Sequence, residues 1–178
     1  MSVCWYECCH IRALGTTGYN GGAAAPGGEV AVDAQDWADK YFPRLSRENS
    51  ALRHCAVSGM LASRFGCKCS QCIVDMRDVA QWYMNTQPWT NTIQALYNDR
   101  EGRDCAGCRG KGRTAGPLIY FHSDTTIKQC CLNKLNSKKL FTGDPNTGIP
   151  GFPTYPTVFP RKPGPKWWYP GNQPQIEW

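Results

Sequence analysis

Between Asn49 and Gly66 the chain reads NSALRHCAVSGMLASRFG, and its apolar positions encircle most of a helix instead of marking one face. Leu52, Cys55, Ala56 and Met60 make one stripe at helical spacing, and Val57, Leu61 and Phe65 make a second beside it. A helix apolar on so many sides has to be surrounded, so the rest of the chain must supply a bundle around it. Asn49 or Ser50 is expected to cap its start, because either side chain can accept a free first-turn N–H, and Gly66 to end it. Arg53 and His54 break the apolar pattern. Taking an arginine out of water without a partner is costly, so acidic groups must lie against this pair. A lone histidine in such a place is ordinarily a hydrogen-bonded core residue, and its partners decide whether it is more than that.

The neighbouring segments offer those partners. The stretch DAQDWADKYFPRL is expected to form a first helix, capped by Asp33, with Trp37, Tyr41 and Phe42 inward and Pro43 as its stop. After the central helix, FGCKCSQC reads as a tight thiol-rich turn. In the helix that follows, Cys72, Met76, Val79 and Tyr83 share one face, and Asp75, Asp78 and Trp82 another. So short a connection makes this helix antiparallel to its predecessor and brings Asp75 or Asp78 toward His54. A third helix is expected over 91–100, with Ile93, Leu96 and Tyr97 inward, ending before Gly102; Asp99 and Glu101 are further acids there. GPLIYFHSD reads as a short strand or extended piece. Ser123 or Asp124 then caps a last helix with Ile127, Cys131 and Leu135 inward. The fold expected is mainly α, a small cysteine-rich helical bundle over 32–140. It follows a cysteine-containing segment and Gly-rich connector over 1–31, and precedes an extended tail over 141–178 that holds nine of the 13 prolines. Prolines deny such a tail a helix, so it is expected to be either a disordered ligand for another protein or a strap over the bundle, and aromatics such as Trp167, Trp168 and Tyr169 favour the strap.

Eleven cysteines in 178 residues constrain the chain nearly as much. Cys69, Cys72, Cys105 and Cys108 form two C-x-x-C knuckles, each able to present two thiolates to one tetrahedral ion, so a structural Zn²⁺ on these four is one expectation. Disulfides such as Cys105 with Cys130 are the other, and the balance turns on whether the protein is exported. Cys4, Cys8, Cys9 and His10 could in principle form a second, less regular zinc shell. No charged-then-apolar leader and no apolar run of membrane-spanning length is present, so the expectation is a protein delivered by a larger carrier or secretion system, or otherwise cytoplasmic. The net charge of +6 is concentrated: from Asp99 to Lys139 nine Lys or Arg face four acids. A basic surface over residues 100–139 suits nucleic acid or an anionic surface, although a solvated face is the commoner explanation.

Two resemblances attach to these motifs. CAGCRGKG, from Cys105 to Gly112, is similar to one C-x-x-C-x-G-x-G repeat of the DnaJ-type cysteine-rich region, which has four; chaperone function does not carry over. The series RHC-x-x-S from Arg53, Gly66, an acid at Asp78, ALYNDREGRDCAG and the Cys130–Cys131 doublet resembles a poorly characterised domain found at the C-termini of bacterial RHS-repeat and other polymorphic-toxin proteins. It covers residues 49–140, with Asn98 and Gly102 at positions that recur in the pattern. The chain departs from it in carrying Asp where the pattern has Glu, and Gly59 where it has a second cysteine. The resemblance implies a delivered toxin accompanied by a cognate immunity protein, and it implies no particular reaction.

The residues themselves suit hydrolysis of an ester or phosphodiester. His54 would act as general base, Asp78 or Asp75 would orient it, and Arg53 or Arg100 would neutralise a developing anion. The RHC helix followed by VDM also resembles the His-Asp helix pair of bacterial phospholipase A2. Cys55 stands where that family has a calcium-holding aspartate, and no calcium loop is evident, so a lipase ranks below a general hydrolase. Cys55 cannot serve His54 as nucleophile, because adjacent helical residues point about 100° apart. The alternative is a zinc- or disulfide-stapled module that binds nucleic acid or a protein without catalysis. An enzyme needs His54, an acid and an arginine to converge; a binding module needs an open basic surface.

Overall fold

A computed structural model of the chain describes residues 26–83, 89–108 and 122–143. They form five α-helices: α1, Pro26–Ala38; α2, Arg47–Phe65; α3, Cys67–Tyr83; α4, Trp89–Cys105; and α5, Asp124–Asn136. Among the described residues there is no strand. The helix over the apolar stretch is the axis of the bundle, since α2 packs against each of the other four. Leu52, Met60 and Leu61 are fully buried, each worth about 1.5–3 kcal/mol relative to exposure. Of the two stripes read from sequence, only Phe65 is less than fully enclosed.

Small residues along α2 let its neighbours come close. The tightest approach is to α4. A Cβ on Gly102 would stand 2.0 Å from the Cys55 carbonyl oxygen, and one on Gly59 would stand 2.7 Å from the carbonyl oxygen of Gly102 and 2.6 Å from Ile127 Cγ2. This explains why α4 runs through Gly102 to Cys105 instead of ending before it. The glycine is the contact surface of the helix and not its terminator.

Two other boundaries differ from the sequence reading for equally local reasons. Ser46, not Asn49 or Ser50, caps α2, its Oγ accepting from Asn49 N–H at 3.1 Å. Asn49 is occupied elsewhere: its amide donates to Asp39 at 2.8 Å and to the Phe42 carbonyl at 3.0 Å, and accepts from Gln35 at 3.2 Å, so it locks the α1–α2 corner. α1 begins at Pro26 inside the Gly-rich stretch, since proline is well tolerated in a first turn. Its buried face is Val30, Ala34 and Ala38. Asp33 therefore caps nothing and instead pairs with Lys128 at 2.7 Å. Trp37 and Phe42 are partly buried against the core, whereas Tyr41 is half exposed and meets Trp37 edge-on.

Gly66 ends α2 as expected, with φ +90° and its N–H on the Ala62 carbonyl. It is the whole of the turn, because Cys67 already opens α3. The thiols of KCSQC therefore lie on the first turns of a helix. α5 is capped by Ser123, whose Oγ accepts from Thr126 N–H, and buries Ile127, Cys131 and Leu135 as its spacing foretold. Past it, the chain returns to α4: Asn98 is buried and makes two 2.8 Å hydrogen bonds to the backbone of Phe141.

Disulfides hold this arrangement. Cys55 pairs with Cys131, Cys105 with Cys130 and Cys67 with Cys108, so α5 is bonded to both α2 and α4, and the start of α3 to the end of α4. Cys69 and Cys72 are disulfide-bonded as well. The four knuckle cysteines thus do not converge as one tetrahedral zinc set. A sulfur committed to a disulfide is not a thiolate, and zinc binds thiolate. The Cys105–Cys130 bridge is the alternative that the spacing allowed. The N-terminal cysteines and His10, residues 109–121 with the expected strand and most of the glycine-rich loop, and the proline-rich tail from residue 144 lie outside the described residues.

Candidate active site

His54 sits midway along α2, on the side turned to α3 and α4. Its Nδ1 lies 3.3 Å from Asp99 Oδ1 and 3.8 Å from Asp78 Oδ2. The two aspartates are at most 1% exposed, and the histidine side chain keeps 14% of its surface open to solvent. The convergence follows from chain direction. α3 runs back along α2 after the Gly66 turn and brings Asp78 to the level of His54. The close α2–α4 crossing at Gly102 brings Asp99, one turn earlier on α4, to the same level.

The electrostatics of this cluster are dominated by burial. Loss of hydration pulls the His54 imidazole down to about 4, against the raising effect of Asp78, while Arg53 and Arg77 push in the same direction as burial. The same loss pushes Asp78 up to about 8 and Asp99 up to about 7. The charge of Asp99 raises Asp78 further, because two carboxylates in one dry site disfavour each other's ionised form. Oδ2 of Asp99 is buried and receives no hydrogen bond from an N–H or hydroxyl of the described residues. At neutral pH the cluster is a neutral imidazole against an acid pair that retains protons two ordinary aspartates would have lost.

The remaining expected site residues divide. Asp75 does not reach His54: it takes a two-pronged pair with Arg103, at 2.9 and 3.4 Å, and a hydrogen bond from Gln71. Arg103 also reaches Ser58 Oγ at 3.4 Å, and Ser70 Oγ donates to the Ser58 carbonyl at 2.6 Å. Arg53 donates to Gln35 Oε1 at 3.0 Å on the α1 side, and burial lowers its pKa, yet it stays within the field of Asp78 and Asp99. Arg100 is exposed on α4 and takes no part; Arg77 supplies the second nearby cation. Asp99, one of the two further acids read on α4, lies closer to His54 than Asp78 does. Its companion Glu101 pairs instead with Lys134.

The basic segment is partly consumed inside the fold. Arg103, Lys128 and Lys134 are held by Asp75, Asp33 and Glu101, while Arg100, Lys138 and Lys139 are exposed. A second group of metal-ligand type also exists: the sulfurs of Cys55, Cys105 and Cys131 lie within 4.8 Å of one another, though all three are in disulfides. No helix among the described residues is long and apolar enough to cross a membrane. The chain matches no family model, no curated protein and no solved structure.

Proposed function

We propose that this chain is the effector domain of a bacterial polymorphic-toxin system and acts as a hydrolase on an ester or phosphodiester, with water activated at His54. The observation that carries this is the seating of His54 Nδ1 on two buried carboxyl groups. A histidine held in this way donates its Nδ1–H to a carboxylate and offers Nε2 to a water, which is the geometry of a general base, and burial makes this imidazole a weaker base than an ordinary histidine. The proton taken from water resides on Nε2 and passes to the leaving oxygen, and Arg53 and Arg77, whose charges are felt at the imidazole, are the cations that would stabilise an oxyanion formed in between. The disulfides support a chain that matures in an oxidising compartment, as a delivered toxin would. A cognate immunity protein is the partner this reading entails.

The alternative is a stapled binding module without catalysis, favoured by the exposed Arg100, Lys138 and Lys139. In a reducing compartment its thiols would be free, and Cys55, Cys105 and Cys131 would be the set best disposed to take a structural zinc.

The two separate in one comparison. Wild type and His54→Gln are directed to an oxidising compartment of bacterial cells, and the purified oxidised proteins are assayed on a p-nitrophenyl ester and on bis-p-nitrophenyl phosphate. Growth arrest and hydrolysis lost in the variant, with its melting temperature unchanged, are expected. Undiminished toxicity and turnover in His54→Gln would sink the catalytic reading, and so would a variant that loses activity only because it melts.

A further inference from the structure

The geometry points to a site for one divalent transition ion formed by His54, Asp78 and Asp99. Each ligand comes from a different helix, α2, α3 and α4, and one ligand atom from each lies within 4.8 Å of the others. A tetrahedral ion with arms of about 2.0–2.2 Å separates its ligand atoms by about 3.3–3.6 Å. Nδ1 of His54 stands 3.3 Å from Asp99 and 3.8 Å from Asp78. The two distances from the imidazole are thus within a few tenths of an ångström of those an ion requires, and the two carboxylates close on it from within 4.8 Å of each other.

Charge argues the same way. Two carboxylates brought together out of water, with a neutral imidazole beside them, are a poor arrangement for a core and a balanced one for a doubly charged cation. Asp99 Oδ2 has no N–H or hydroxyl donor among the described residues. A structural carboxylate at 0% exposure would ordinarily have collected such donors. Three protein ligands leave a fourth position for water, and the partial exposure of His54 gives that position a side from which water can enter. Hard oxygen ligands with one imidazole suit zinc, cobalt or manganese. Arg53 and Arg77 also face the cluster and lower its affinity without occupying it. Ion binding takes up the Nδ1 lone pair, so the imidazole N–H moves to Nε2.

This deepens the hydrolase reading and rests on it only for its catalytic consequence, that the ion and not the imidazole would generate the attacking hydroxide. Binding is tested first. The full oxidised chain, freed of metal with a chelator, is titrated with Co²⁺ and followed by visible and near-ultraviolet absorption. One ion per chain is expected, with ligand-field bands and no thiolate charge-transfer band, and Zn²⁺ should displace it. Asp99→Asn should weaken binding on the order of 100-fold, at least the loss typical of disturbing a ligand's support. Without metal, Asp99→Asn should melt no lower than wild type, because it removes a crowded charge; a merely structural aspartate would show the reverse. Should that variant fail to fold, Asp78→Asn serves in its place. No binding, a thiolate band, or unchanged affinity in the aspartate variants overturns the site. A Co²⁺-loaded chain without hydrolysis keeps the site and removes the hydrolase reading, and a chain that hydrolyses but binds no ion does the opposite.

Discussion

Two polar layers lie one helical turn apart in the seam between α2, α3 and α4, and they are built on the same plan. In one, Ser58, Asp75 and Arg103 meet; in the other, His54, Asp78 and Asp99. The positions correspond at i, i+4 on α2, i, i+3 on α3 and i, i+4 on α4, so each helix contributes one residue to each layer. The first layer is complete. Arg103 meets Asp75 through both nitrogens and Ser58 with one of them, so the guanidinium and carboxylate are matched in charge and in geometry. The second layer has an acid where the first has the arginine. Its two buried carboxyl groups face a neutral imidazole. One layer matches an acid with a cation, and the other sets two acids side by side, an arrangement that a proton or a cation from solution can balance. Corresponding positions thus yield a staple in one turn and a reactive cluster in the next, and the difference lies in Arg103 against Asp99 on α4 and Ser58 against His54 on α2.

The largest effect should come from separating both layers at once. Gly102→Ala places a methyl group 2.0 Å from the Cys55 carbonyl oxygen, so α4 must withdraw from α2. We expect a loss of about 4–5 kcal/mol or more, in the range reserved for severe mechanisms, read by urea unfolding followed by circular dichroism. A variant that unfolds at the wild-type midpoint would show that the crossing does not hold the layers together.

Breaking the closed layer alone should cost nearly as much. Arg103→Met leaves Asp75, whose side chain is 27% exposed, without its counter-charge, with a loss toward the lower end of about 3–5 kcal/mol, and Asp75→Asn added to it should recover a large part. The contrast with metal-free Asp99→Asn, for which no loss is expected, sharpens the comparison directly. If both single changes destabilise alike, the layers are equivalent and the second is not open.

The clamp on both layers is α5. Cys55→Ala with Cys131→Ala opens a bridge that spans 76 residues of sequence, and a loss of about 2–4 kcal/mol is expected. Because Cys105–Cys130 still ties α5 to α4, thermal unfolding should remain a single transition. Separate melting of α5 would break the picture of one cooperative bundle.

The most diagnostic effect is in pH. The folded-state pKa values of Asp78 and Asp99 are raised, so the folded protein binds protons more tightly there than the unfolded chain. Their contribution is fully present below about 4 and is lost as pH rises toward about 7–8. His54 works in the opposite sense between about 6.5 and about 4, so the comparison is made in a His54→Gln background. There, metal-free protein should lose stability from pH 4 to 8, and the further change Asp99→Asn should flatten the slope. A slope unaffected by Asp99→Asn would mean that the pair does not hold its proton.

Much of the bundle was legible because helical periodicity is a local property. The stripes of α2, the Ser123 cap, the inward Ile127, Cys131 and Leu135, and the approach of an α3 aspartate to His54 all follow from spacing and one short turn. The errors were local patterns overruled by contacts from distant segments. Asn49 resembles a cap but is taken by Gln35, Asp39 and Phe42, and Gly102 resembles a stop but is a helix-crossing point. Of the site, Arg53 and His54 stood out against an apolar helix and demanded acids. Which acids answered depended on the rotation of α3 and α4, which separates Asp78 from Asp75 and Asp99 from Glu101. The repeated i, i+4 spacing of His54 with Ser58 and Asp99 with Arg103 was a usable signal for the two layers.

The sequence by itself determined that α2 is enclosed, that the chain is a helical bundle rich in cysteine, and that the polar pair Arg53 and His54 must be answered inside it. These follow from hydrophobic period, caps and the cost of burying charge, all of which a short window of residues contains. Only the tertiary structure decided which sulfurs pair, that Asp75 belongs to Arg103, and that Asp78 and Asp99 meet at His54 within one layer. Those outcomes depend on how closely α4 can approach α2, a distance set by the missing side chain of Gly102 against one carbonyl oxygen, and no spacing along the chain records it.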